Sequence, residues 1–205
     1  MSKYRLSDSP IYYPGTDVPV NKLGIEDSET IHALESELLY EAYETFISEL
    51  DETTQFDENY FKSLHYRTFS PLYEWAGEYR TFDMAKGDSL FCRGLYVASE
   101  SQRIFSELKM KKYLTNCQSF TRDDFARELA YFKCELIALH PFYELNGRIT
   151  RLFFDLIATY NGYHLIDYSF FTPREYIEAS IRCVRYADEE AMRQIVSTGL
   201  KKRSD

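Results

Sequence analysis

The chain has 205 residues, 44% of them hydrophobic and 17% aromatic, which suits one domain with a real core and argues against disorder. A formal net charge of −9 disfavours a general phosphate-backbone binder and direct nucleic-acid contact, although a local basic pocket still accommodates one nucleotide. The start, MSKYRLSDSPIYYPG, is polar and turn-rich, and no run approaches the roughly 18 uncharged apolar residues of a membrane span, so a cytoplasmic protein without signal peptide or membrane contact is expected.

Cys92, Cys117, Cys134 and Cys183 form no Cys-x-x-Cys pair, which predicts reduced structural thiols rather than a zinc or redox site. Pro10, Pro14, Gly15 and Pro19 punctuate an extended lead-in over residues 1–20. Asp27 or Ser28 then caps a helix with Ile31, Leu34, Leu38, Leu39, Ala42 and Phe46 at helical spacing. A second helix covers about 58–75, and Pro71 predicts a kink or an early end there. Two short aromatic-rich runs around Lys86-Gly87-Asp88, within 79–97, read as a small β-hairpin. Helical spacing resumes over 99–113, and Thr121 opens another helix that Pro141 stops just after His140. A helix over 146–160 ends at Asn161-Gly162; Pro173 opens the next, and the last spans about 188–200. The fold class is therefore all-α with one hairpin.

The run HPFYELNGRITR, from His140 to Arg151, places a base, an acid, an amide, a glycine and two arginines between two apolar helices. Taken singly, a histidine at a helix end is usually a cap, and arginines at i,i+3 are an ordinary solvated face. Together they do more. Asn146 and Gly147 begin a helix whose N–H groups and positive dipole end favour an anion. Arg148 and Arg151 add charge suited to phosphate. Glu144 beside an anion site suits a magnesium ion shared with phosphate oxygens, and His140 supplies the base. This set describes phosphoryl or nucleotidyl transfer.

The sequence resembles the Fic family, whose motif reads His-x-Phe-x-Asp/Glu-Gly-Asn-Gly-Arg-x-x-Arg. His140, Phe142, Glu144, Asn146, Gly147, Arg148 and Arg151 match it, and NKLGI at 21–25, YEWAGEYR at 73–80 and KGDSLFCR at 86–93 are collinear Fic-like segments. The resemblance implies a Fic-type helical domain over 21–190, followed by a helix end and tail at 191–205. It also implies a protein adenylyltransferase, which moves AMP from ATP to a Ser, Thr or Tyr hydroxyl of a target protein. By the same resemblance His140 is the general base, and Glu144 binds Mg2+. Asn146, Gly147, Arg148 and Arg151 bind ATP, and the flap residues Lys86, Gly87, Ser89, Leu90 and Phe91 align the target by strand addition.

One position departs: the family's glycine before Asn146 is Leu145. A leucine there either narrows the phosphate loop or turns into the core and leaves the N–H groups available. The inhibitory pattern Ser/Thr-x-x-x-Glu-Gly/Asn occurs once, from Thr54 to Asn59, away from where the family places it. The resemblance therefore points to a toxin-type protein with a separate antitoxin, or to an unrestrained one, and to type II topoisomerase subunits as targets. Three alternatives stay open: γ-phosphate transfer as in Doc kinases, removal of AMP, and a degenerate domain that only binds nucleotide or a partner. Gly147 and Arg151 favour AMP transfer over the kinase, which lacks both.

Overall fold

The computed structural model describes residues 5–6, 11–116 and 120–203, so Cys117 lies outside the described residues. Among them are seven α-helices: α1 (Ser28–Ser48), α2 (Glu58–Phe69), α3 (Val97–Met110), α4 (Arg122–Leu139), α5 (Asn146–Tyr160), α6 (Pro173–Tyr186) and α7 (Glu190–Gly199). Three short strands, β1 (Arg5–Leu6), β2 (Met84–Lys86) and β3 (Ser89–Leu90), make one antiparallel sheet in the order β1-β2-β3. The all-α expectation with a small hairpin holds, with one addition: Arg5 and Leu6 pair with Ala85 and Met84 on the outer edge of β2.

The helices begin where the sequence supplies caps. The Asp27 carboxylate accepts from the Thr30 N–H, Asp57 from Tyr60, and Thr121 from Asp124. Thr172 and Glu175 form a reciprocal capping box with Pro173 in the first turn of α6. α2 stops at Phe69, the early end that Pro71 predicts, because the proline nitrogen has no N–H to donate back to the helix.

α5 is the central helix. Ile149, Leu152, Phe153, Phe154, Leu156, Ile157 and Ala158 are all buried, so it is apolar nearly all round, as a core helix should be. α4 buries Phe125, Leu129, Phe132, Leu136 and Leu139 beside it. The loop 140–145 joins these two most buried helices, which gives it a rigid mounting.

The cysteines need a correction. Cys134 of α4 and Cys183 of α6 form a disulfide rather than two reduced thiols. Packing of α6 on α4 brings these buried residues, 49 apart in sequence, to a Cα–Cα distance of 5.1 Å. That separation is inside the bridging range, and linear spacing carries no sign of it. Cys92 is a free thiol. No helix among the described residues is long and apolar enough to cross a membrane.

Candidate active site

The segment from His140 to Leu145 leaves α4 and enters α5 through two left-handed residues. His140 (φ 47°) ends α4 and Leu145 (φ 65°) precedes α5. Non-glycine residues in this region carry backbone strain, so the surroundings must hold them there. Several side chains do so. The Asn146 amide accepts from the Phe142 N–H at 2.7 Å and donates to the Phe142 carbonyl at 2.8 Å, pinning the loop to the first turn of the helix. Phe142 is fully buried against Phe61, His65 and Tyr79. His65 accepts from the Gly77 N–H at Nδ1, so its Nε2 carries the proton and donates to the Glu144 carbonyl at 3.1 Å. Burial pulls its pKa down to about 4, which keeps this tautomer neutral.

Arg80 holds the same loop from the other side. Only 1% exposed, its guanidinium donates to the carbonyls of Leu139, His140, Phe82 and Cys92 at 2.5–3.0 Å. One cation thus ties the end of α4 to both ends of the flap segment, using four of its five N–H donors.

The His140 imidazole is 8% exposed and stacks on Phe91, with centroids 3.8 Å apart and planes at 13°. Burial first, and then the charges of Arg80 and Lys86, lower its pKa to about 3. It is therefore neutral at physiological pH and keeps a lone pair for a proton. An approaching triphosphate raises its basicity, because negative charge nearby favours the imidazolium.

Glu144 is buried; Oε1 accepts from the Tyr12 hydroxyl at 2.7 Å and Oε2 from the Leu145 N–H at 3.2 Å. Leu145 combines its two expected courses: it packs with the core and is only 7% exposed, and it also lines the space beside Glu144 and Arg148. No side chain caps α5, and the Arg148 N–H already donates to the Leu145 carbonyl at 3.1 Å, which leaves the Asn146 and Gly147 N–H groups toward the space before the helix. A Cβ built on Gly147 meets no atom within 4 Å, because the space over it is the cavity itself.

Two cavities meet at this helix start. One, about 380 Å³, is mainly apolar and lies between the flap and α6; His140, Phe91, Ile137, Ile177, Ile181 and Val184 line it. The other, about 300 Å³, is lined by Glu144, Leu145, Arg148, Arg151 and Leu39. Lys86, Asn146, Gly147 and Tyr176 border both. Arg148 is anchored by an ion pair to Glu35 of α1 at 2.9 Å, and Glu35 also accepts from the Tyr73 hydroxyl at 2.7 Å. Arg151 lies against the rings of Tyr168 and Tyr176, 4.3 and 4.7 Å from their centroids. Beneath it, the buried Asp155 accepts from Tyr43 at 2.7 Å and Tyr168 at 3.2 Å.

The flap residues divide. Gly87 makes the turn at φ 58°, Leu90 is 58% exposed, and Ser89 is buried. Phe91 follows β3 and covers His140, so it faces that imidazole rather than solvent. Glu58, the glutamate of the Thr54–Asn59 pattern, accepts from Ser101 at 2.6 Å and borders neither cavity. No three or more His, Cys, Asp or Glu side chains cluster as a metal site among the described residues. A cation here would need phosphate oxygens to complete its shell, which fits the single carboxylate Glu144 and magnesium's preference for few protein ligands. Sequence reading passed over Tyr12, Glu35, His65 and Asp155; only the segment around Arg80 gave a signal, as a family-like stretch without an assigned role.

This helical frame, with its loop between two core helices and a flap beside it, defines the class. The Fic/DOC family profile matches residues 55–158, and the chain belongs to that family. It is 32% identical over 182 residues to a probable protein adenylyltransferase, y4lH, of Sinorhizobium fredii, covering 89% of this chain and 91% of that one. It is 33% identical to the protein adenylyltransferase VbhT of Bartonella schoenbuchensis, spanning 98% of this chain but 41% of that longer protein. Among solved structures, Bartonella tribocorum BepC with bound AMPPNP shares the fold with a TM-score of 0.81 at 22% identity, covering 95% of this chain and 97% of that one. The type IV secretion effector BepA matches with a TM-score of 0.76 at 27% identity, covering 93% and 68%.

Proposed function

We propose that this chain is a protein adenylyltransferase that moves AMP from ATP to a Ser, Thr or Tyr hydroxyl of another protein. One observation carries the reading: the apolar cavity lies on the His140 side of the α5 N-terminus and the charged cavity on the other. A nucleoside fits the first and a diphosphate end the second, so the α-phosphorus falls where they meet, beside the base. Transfer of the γ-phosphate needs the reverse, with the nucleoside among Glu144, Arg148 and Arg151. The relatives' names support the same direction.

In this arrangement the target hydroxyl gives its proton to the neutral His140 imidazole as its oxygen attacks the α-phosphorus, and pyrophosphate leaves toward Arg148 and Arg151. The first-turn N–H groups, including that of Gly147, stabilise the phosphate charge, while Asn146 acts through the loop it pins. Glu144 would hold Mg2+, which supplies charge neutralisation on the phosphates when bound. The flap aligns an extended target segment by main-chain pairing, with the exposed Leu90 as a contact.

A reaction that consumes ATP fits the cytoplasm, and type II topoisomerase subunits are the first targets to test. No carboxylate of the Thr54–Asn59 pattern lines Arg151's cavity, so the chain is either restrained by a separate antitoxin protein or unrestrained. The test is transfer from ATP labelled at the α- or the γ-phosphate, with magnesium and candidate targets. Label from the α position alone is expected. Label from the γ position alone indicates a kinase, and nucleotide binding without transfer indicates a degenerate site.

A further inference from the structure

Residues 11–22 are held firmly against the site. The Tyr13 N–H donates to the Val18 carbonyl at 3.0 Å and the Val20 N–H to the Ile11 carbonyl at 2.7 Å, closing a tight loop through Gly15. Asn21 locks its base with side-chain bonds to the Pro19 and Ile25 carbonyls, and the Lys22 N–H donates to the Leu72 carbonyl. This loop presses Tyr12 against Met84 and Phe91 and delivers its hydroxyl to Glu144 Oε1 at 2.7 Å.

A buried carboxylate that must present a lone pair to a cation needs its rotation fixed, and hydrogen-bonding neighbours commonly do this for metal ligands. The Leu145 N–H holds only Oε2, at the longer distance of 3.2 Å. We propose that Tyr12 is a positioning residue for Glu144, orienting the carboxylate toward a divalent cation carried by the nucleotide phosphates. The proposal rests on Glu144 being the metal ligand, and it brings a residue of the N-terminal lead-in into the site.

The test measures AMPPNP binding to the full chain with and without saturating Mn2+, and takes the ratio of the two dissociation constants. In the native chain Mn2+ tightens binding, and Glu144→Gln removes that gain. Tyr12→Phe keeps the ring against Met84 and Phe91 and deletes only the hydroxyl. It is expected to reduce the Mn2+ gain about tenfold, the low end for such neighbours, with metal-free AMPPNP affinity unchanged. Tyr13→Phe, on the same loop but with its hydroxyl on the Asn21 carbonyl, should leave the gain intact. A Tyr12→Phe gain equal to or larger than the native one, with Glu144→Gln defective, overturns the role of Tyr12 alone. No difference between the native chain and Glu144→Gln overturns the metal assignment and this proposal together.

Discussion

The His140 imidazole, the proposed general base, is kept neutral by its surroundings, and this has a kinetic consequence. With its pKa near 3 in the free protein, protonation does not remove the base until the solution is strongly acid. kcat/KM reports the free enzyme, so it should stay flat from pH 8 to about 5 rather than fall through an ordinary histidine midpoint near 6.5. A rate profile bending at 6.5 would show that the imidazole is solvated in solution. Leu145 is a second test at this scale. Glycine would relieve left-handed strain of about 1–3 kcal/mol, but removing a buried leucine side chain costs about 2–5 kcal/mol. Burial should win: Leu145→Gly is expected to lower unfolding stability by about 1–2 kcal/mol while AMP transfer survives. Denaturant melts and the labelled-ATP assay check both, and a stabilised variant would contradict the balance.

At the scale of elements, the site depends on the α4–α5 connection, and Arg80 is its tie. Replacement by alanine removes the donor from four carbonyls, those of Leu139 and His140 buried and those of Phe82 and Cys92 partly so, each bond worth roughly 1 kcal/mol. Arg80→Ala should therefore destabilise by at least about 3 kcal/mol, and Arg80→Lys should recover only part of this, since an ammonium lacks the planar fork. A loss below about 1 kcal/mol would mean that water replaces the guanidinium. These elements were unevenly legible in the sequence. The helix starts at Asp27, Thr121 and Pro173, and the Gly87 turn, are written in local chemistry and stand where expected. The motif loop was legible as a set of residue types. What holds it was not: Arg80, His65, Glu35 and Tyr12 reach it from 60 to 132 residues away. Local patterns do not encode such pairings. The β1 strand was hidden for the same reason, since two residues have too little periodicity to announce a partner.

For the whole molecule, acid stability sums opposing buried groups. His65 and His140 have folded pKa values near 4 and 3, below the ordinary 6.5, so the unfolded chain binds their protons first. Their contribution is complete above pH 6.5 and is lost as pH falls toward 4 and 3. Asp155, raised by burial from 3.8 to about 6, acts the other way, adding stability as pH falls through that window. Two large displacements outweigh one smaller one, so unfolding free energy should drop by a few kcal/mol between about pH 7 and pH 4. A rise over that range would show that Asp155 dominates. Reduction of the Cys134–Cys183 bond, which closes a long loop between α4 and α6, should cost about 2–4 kcal/mol in the same unfolding measurement.

The most direct test of the central claim, a neutral imidazole facing a bound triphosphate, pairs transfer with binding in His140→Ala. Transfer of α-label is expected to fall by about 10²–10⁴-fold, while AMPPNP affinity stays within a few-fold of the native chain. Full transfer by that variant would contradict the claim.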